Sequence, residues 1–136
     1  MQTSPNGISK WDVSSVTNMC RMFSQTSFAS DISKWDVSRV IDMSFMFGGA
    51  ESFNSDVSKW KTTSAQDMAG MFVEAKSFNG DVSKWDVSTV LVMDGMFWGA
   101  ESFDGDISTW DVSNVSVLSR MFSKTKIAGD LSKWDV

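Results

Sequence analysis

Large hydrophobic residues recur along the chain with a period of about 25 residues, and the same few polar residues separate them each time. A tryptophan marks each unit, at positions 11, 35, 60, 85, 110 and 134. Each tryptophan is followed by a Met-x-x-Met-Phe pattern, which begins at Met19, Met43, Met68 and Met93 and, with Leu replacing the first Met, at Leu118. Self-similarity at such a period is typical of stacked repeat architectures. The sequence predicts one repeat domain over residues 1–136, with five full coils and a truncated sixth.

Two halves of each unit carry different hydrophobic patterns. In "ISKWDVS", Trp35 and Val37 alternate with the polar residues Lys34 and Asp36, and a period of two predicts a half-buried strand. The following stretch, "RVIDMSFMF", has hydrophobic residues on one face of a helix, at Val40, Met43, Met46 and Phe47. Ser38 is a suitable N-cap for this helix, and Gly48 and Gly49 are suitable for ending it.

These elements predict the fold class. We expect an α/β fold, a right-handed leucine-rich-repeat-like solenoid with one short parallel strand and one short helix in each coil of about 25 residues. Trp, Val, Met, Phe and Ile would fill the interior. Because the sequence ends inside the repeated phrase at Val136, we also expect it to be a fragment of a longer array.

The repeated phrase resembles a known family of surface proteins. The spacing Ile32-x-x-Trp35-x-Val37-x-x-Val40 is similar to that of a leucine-rich repeat, and "WDVSxVxxMxxMF" followed by "FNxD" resembles the BspA-like repeat. That repeat occurs in tandem on bacterial and mycoplasma lipoproteins, and in protists and microalgae. The resemblance implies a cell-surface or secreted protein that adheres to a protein, a matrix component or a glycan. The third unit departs from the pattern at Lys61, Thr62 and Ala65, so we expect it to be locally weaker.

Composition excludes several functions. The net charge of −5 argues against binding nucleic acid, which requires clustered Lys and Arg. The chain has no His and a single Cys, Cys20, and it has no apolar run long enough to insert into a membrane. The start of the chain shows no signal peptide. We therefore expect no enzymatic activity, no cofactor and no metal centre.

The exposed side of the predicted strands is the first candidate interaction surface. Lys and Asp columns would run side by side there, the first interrupted by Thr109 and the second by Lys61, which adds a cation near the middle. The members of this surface are Lys34, Asp36, Lys59, Lys61, Lys84, Asp86, Thr109 and Asp111. Two interpretations stay open: a charge-balanced solubilising face, or a concave binding surface of the kind that repeat proteins use.

Two further features have alternative interpretations. A second Asp column, comprising Asp31, Asp56, Asp81, Asp106 and Asp130, precedes the predicted strands. Its members would accept backbone hydrogen bonds in turns, or together hold Ca²⁺. Trp98 is the one Trp outside the repeated phrase. It would lie flat on the convex surface or serve as an interface anchor.

Two classes of function follow from these observations. The first is a non-enzymatic module for protein–protein or cell-surface interaction, similar to an adhesin. The alternative is a structural spacer or assembly subunit without a ligand of its own. Since neither end of the array has a polar cap, end-to-end self-association is also expected.

Overall fold

The computed structural model describes residues 7–127 and Leu131. The chain winds into a stack of coils, and hydrogen bonds join each coil to the next at a sequence separation of about 25 residues. Isolated parallel β-bridges mark this stacking, at Asn18–Asp42, Asp42–Asp67, Asp67–Val92 and Val92–Val117. Within the described residues, the regular secondary structure consists of one 3₁₀ helix, Ile8–Lys10. Trp134, the last tryptophan of the repeat, lies outside the described part of the chain, as does most of the sixth coil.

The predicted α/β leucine-rich-repeat-like solenoid is therefore wrong. Residues 7–127 contain no α-helix and no β-sheet, because the coils are built almost entirely from turns. A leucine-rich repeat has a β-strand in each coil, and the described coils have isolated β-bridges in place of strands.

The predicted helix over 39–47 fails because its N–H groups bond to the neighbouring coil. The N–H groups of Met43 and Phe45 donate to the carbonyl oxygens of Asp67 and Ala69, each at 2.9 Å. Between them, the N–H of Met46 donates back to Met43 at 3.2 Å, closing a turn. An α-helix would instead direct each N–H to the carbonyl four residues earlier. The helical spacing of the hydrophobic residues is thus produced by a succession of turns.

Residues in the left-handed backbone conformation form part of these turns. In each of the first five coils, two positions four residues apart have positive φ: Arg21 and Gln25, Phe45 and Gly49, Gly70 and Glu74, Gly95 and Gly99, and Arg120 and Lys124. Such a residue cannot continue a right-handed helix. Gly49, predicted to end the helix, is one of these turn residues, with φ of +69°.

The predicted strand over 32–38 is also wrong. The N–H of Trp35 donates to Ile32 at 3.1 Å and the N–H of Val40 donates to Val37 at 3.0 Å, so this segment consists of two tight turns. Ser38 does not cap a helix. Its N–H and its Oγ both donate to the Asp36 carboxylate, at 3.0 and 2.6 Å.

The predicted inward columns are confirmed. Val40, Met43, Met46 and Phe47 are fully buried, as are their counterparts in the next two coils, with Ala65 replacing Val in the third. Two phenylalanine columns run through the core, and Phe72 and Phe78 of one coil stack at 3.9 Å between centroids. Neighbouring coils continue the column, since Phe72 and Phe97 are 5.6 Å apart. Each such pair contributes about 0.5–1.5 kcal/mol beyond its buried area.

The tryptophan column fastens each coil to the one before it. Trp rings stack between coils, as Trp60 and Trp85 do at 6.2 Å. Their indole N–H groups donate to buried backbone carbonyls of the preceding coil, in the pairs Trp35–Ile8, Trp60–Ile32, Trp85–Val57 and Trp110–Val82. Among the described residues, every buried side-chain nitrogen or oxygen has a hydrogen-bond partner. The described part of the chain has no helix of the length and hydrophobicity that a membrane span requires.

Candidate functional site

The residues of the first predicted surface all lie at the surface of the molecule. Lys34, Asp36, Lys59, Lys61, Lys84, Asp86, Thr109 and Asp111 are exposed. They are presented by turns and not by strands, so no flat sheet face exists in the described coils.

Part of this surface converges on one open cavity of about 300 Å³. We call it the lysine cleft, and its lining residues are Ser33, Lys34, Trp35, Asp36, Val37, Ser38, Lys59 and Lys61. Four of the predicted residues therefore line one cavity. Lys84, Asp86, Thr109 and Asp111 do not line it. A smaller neighbouring cavity of about 160 Å³ continues along the lysine column and is lined by Ser9, Lys10, Asp31 and Lys34.

The carboxylate that lines the lysine cleft, Asp36, already has hydrogen-bond partners. Asp36 accepts hydrogen bonds from Ser38, and these hold the pKa of its carboxyl below the ordinary value, with a smaller favourable contribution from Arg39 and Lys61. No Lys–Asp ion pair forms within the described residues, where the ion pair present joins Lys76 to Glu51 at 3.2 Å. The three lysine ammonium groups of the cleft thus remain available for a partner.

The lysine column also acts on the second Asp column. Lys34 lowers the pKa of Asp31, after the larger effect of the hydrogen bonds from Ser33. At Asp86, hydrogen bonds from Ser88 lower the pKa of the carboxyl, and the stacked carboxylate of Asp111 opposes that shift.

The turn interpretation of the second Asp column is confirmed for its described members. Asp31, Asp56, Asp81 and Asp106 each accept a hydrogen bond from the backbone N–H of the serine two residues later, at 2.9–3.0 Å. Asp130 lies outside the described residues. Over the described part of the chain, no three His, Cys, Asp or Glu side chains are grouped so that they could hold a metal ion.

Two residues that depart from the repeat, Thr62 in the third coil and Thr109 in the fifth, form side-chain hydrogen bonds to a neighbouring coil. Thr62 replaces the Val of the other coils and is fully buried, yet its Oγ1 donates to the backbone oxygen of Asp86 at 2.8 Å. Thr109, which interrupts the lysine column, makes a longer bond to Ser83 at 3.4 Å. Both replacements are therefore bonded to an adjacent coil.

Trp98 is half-buried and lines a separate cavity of about 240 Å³. We call this cavity the Trp98 depression, and its lining residues are Phe45, Gly70, Val73, Asp94, Gly95, Trp98 and Arg120. The ammonium group of Lys124 lies 5.5 Å from the centroid of the Trp98 ring. The hydrophobic pattern pointed to Trp98 alone. Four of the other lining residues, Phe45, Gly70, Gly95 and Arg120, could have been found from one column of the repeat, in which Arg21 is the equivalent residue of the first coil.

The chain matches a known protein family. Two segments, residues 1–91 and 80–136, match the family described as "Mycoplasma protein of unknown function, DUF285". Together the two segments span the whole chain. No curated protein and no solved structure matches the chain.

Proposed function

The chain belongs to the DUF285 family, and we propose that it is a non-enzymatic interaction module that binds an acidic partner at the lysine cleft. Within the family we assign it to the BspA-like surface repeats, on the basis of the repeated "WDVS" phrase. The partner would be a protein or matrix chain with clustered carboxylates, and the module would be displayed at the cell surface or secreted.

One observation carries this proposal: three lysines that form no ion pair within the described residues line one cavity. Lys34, Lys59 and Lys61 line the lysine cleft, while Asp36 is bonded to Ser38. Ammonium groups without an ion-pair partner can bind a ligand at a small cost in free energy, because no existing ion pair has to be broken first. The hydroxyls of Ser33 and Ser38, also in the lining, could add neutral hydrogen bonds.

The net charge of the chain favours a partner with a small acidic segment. The chain carries 17 acidic and 12 basic residues, so its net negative charge would repel an extended polyanion such as nucleic acid. A partner whose negative charge is confined to a short segment can reach the cleft without that cost. We therefore favour a local acidic patch over an extended polyanion.

The test compares two charge reversals with the same effect on net charge. Lys61→Asp gives the third coil the residue that Asp36, Asp86 and Asp111 provide elsewhere, whereas Lys126→Asp changes an exposed lysine outside the cleft. Binding of an immobilised oligoglutamate peptide, with oligoglutamine as reference, would be measured at low and at physiological salt. We expect Lys61→Asp to weaken binding about tenfold or more and Lys126→Asp about twofold or less. Equal weakening by both variants, or no binding by the unmodified chain at low salt, would refute the proposal.

A second candidate function, assembly by stacking of coils, has its own supporting observation. In the first described coil, Trp11 is 50% exposed and Met22 is 37% exposed, while their counterparts Trp35 and Met46 are 4% and 0% exposed. Either an earlier coil of a longer array or the end of a second copy would cover these side chains. Sedimentation of the 136-residue chain would test the second arrangement. We expect a concentration-dependent dimer that Trp11→Glu disrupts, and a monomer at all concentrations would exclude it.

A further inference from the structure

One column of the fold follows a simple packing rule: the side chain of one coil covers the glycine of the next. Phe45 lies across Gly70, so closely that a Cβ on Gly70 would overlap the Phe45 ring. In a neighbouring column, a Cβ on Gly99 would lie 2.6 Å from the carboxyl carbon of Glu74. Glycine is thus needed where the preceding coil supplies a large side chain.

Gly95 breaks this rule. The preceding residue of its column is Gly70, which has no side chain to offer. A Cβ on Gly95 would meet no atom closer than the Cβ of Trp98, at 3.9 Å. The space over Gly95 is therefore the site that a side chain at position 70 would occupy, and it opens into the Trp98 depression.

The equivalent space in the preceding coil, over Gly70, is filled by a side chain and shows what fits there. Phe45 places a flat ring over Gly70, and the guanidinium carbon of Arg21 lies 4.5 Å from the centroid of that ring. A ring placed over Gly95 would lie among Phe45, Val73 and Trp98, which line the same depression. Aromatic groups bind well in such surroundings through stacked or edge contacts.

The charged residues at the edge of the Trp98 depression indicate which charge a ligand should carry next to its aromatic ring. Arg120 lines the depression, is exposed, and makes no ion pair within the described residues. Asp94 also lines it, but one of its carboxylate oxygens accepts a hydrogen bond from the hydroxyl of Ser119. Lys124 adds a second positive charge beside Trp98. The available charge is therefore mainly positive and suits a carboxylate.

We propose that the Trp98 depression binds an aromatic side chain of a partner protein, with an acidic residue adjacent to it in the partner sequence. The ring takes the place over Gly95 that Phe45 takes over Gly70, and the acidic residue pairs with Arg120. This inference rests on the proposed interaction function but uses none of the residues of the lysine cleft.

The sharpest test adds one methyl group. Gly95→Ala would place a Cβ on the floor of the depression without overlap, since its nearest neighbour would be the Cβ of Trp98 at 3.9 Å. Gly49→Ala is the matched control, because Gly49 also has positive φ and its Cβ would displace only the flexible end of Gln25. Both variants incur a similar backbone cost, so similar melting temperatures would show that folding is equally affected.

The probes are two capped tetrapeptides, Gly-Phe-Glu-Gly and Gly-Leu-Glu-Gly, titrated while the indole N–H resonance of Trp98 is followed by NMR. We expect the phenylalanine peptide to bind about tenfold more tightly than the leucine peptide, and Gly95→Ala to abolish that preference. Arg120→Gln should weaken binding of Gly-Phe-Glu-Gly but leave Gly-Phe-Gln-Gly unaffected.

Three results would overturn the proposal: equal binding of the two peptides, unchanged binding by Gly95→Ala, or a shift of the Trp98 resonance by glucuronic acid and by neither peptide. The last result would identify a glycan site instead. Lys61→Asp should leave these titrations unchanged. If the lysine cleft fails its own test while the peptides still bind here, the two proposals are separated.

Discussion

The indole nitrogen of Trp85 donates a hydrogen bond to the backbone oxygen of Val57 in the preceding coil, at 2.9 Å. The same ring is 3% exposed and stacks on Trp60. One side chain thus fills the core, contacts the neighbouring coil and satisfies a buried carbonyl. The same hydrogen bond, from the indole nitrogen to a backbone oxygen of the preceding coil, is formed by Trp35, Trp60 and Trp110.

Trp85→Ala should therefore be strongly destabilising. Removal of a buried aromatic side chain leaves a cavity, and we expect a loss of about 3–5 kcal/mol in the free energy of unfolding. Lys84→Ala, at the exposed neighbouring position, should change it by about 0.5 kcal/mol or less. Urea denaturation of both variants checks the difference. Equal midpoints would show that the Trp column does not hold the stack together.

Thr62→Val should have a small effect, although it restores the residue found in other coils. The new methyl group contributes about 0.8 kcal/mol of buried apolar surface. Loss of the hydroxyl bond to Asp86 costs about 0.5–1.5 kcal/mol. We expect a net change within about 1 kcal/mol, measured by thermal and urea denaturation. Stabilisation by more than about 2 kcal/mol would show that the buried hydroxyl is a defect of the third coil.

Stability should fall in acid because of the Asp–Ser turns. Hydrogen bonds from serine lower the pKa below the ordinary value of 3.8 at Asp12, Asp31, Asp36, Asp56, Asp81, Asp86, Asp106 and Asp111. A carboxyl whose pKa is lower in the folded state stabilises it fully above the unfolded value. That contribution is lost as the pH falls from 3.8 through the folded values. Urea midpoints measured between pH 7 and pH 2 should decline in this window, and a flat profile would contradict the assignment.

Ser38→Ala should raise the pKa of Asp36. The substitution removes the Oγ donor at 2.6 Å and keeps the backbone N–H donor at 3.0 Å. The pKa should therefore move part of the way towards its ordinary value. A ¹³C NMR titration of the side-chain carboxyl checks this, and Asp86 serves as the internal control because its partner is Ser88. An unchanged Asp36 titration would mean that the backbone donor alone sets the pKa.

The inward-facing residues and the repeat of the coils can be predicted from the hydrophobic pattern alone. Trp35, Val37, Met43 and Phe47 were assigned to the core from their spacing, and all four are buried. The turn role of Asp31 was also predicted correctly. These features follow from the repeat period and from the local chemistry of Asp near Ser, both of which are visible in the sequence.

The backbone conformation and the grouping of surface residues depend on contacts between coils, which the hydrophobic pattern does not specify. A spacing of three and four residues is shared by a helix and by a succession of turns. The choice was made by hydrogen bonds such as that from Met43 to Asp67 in the next coil. The Trp98 depression likewise depends on Gly70 and Gly95 being neighbours in space, about 25 residues apart in sequence. Both features arise from contacts between coils, because a coil of turns has too few internal hydrogen bonds to fix its own conformation.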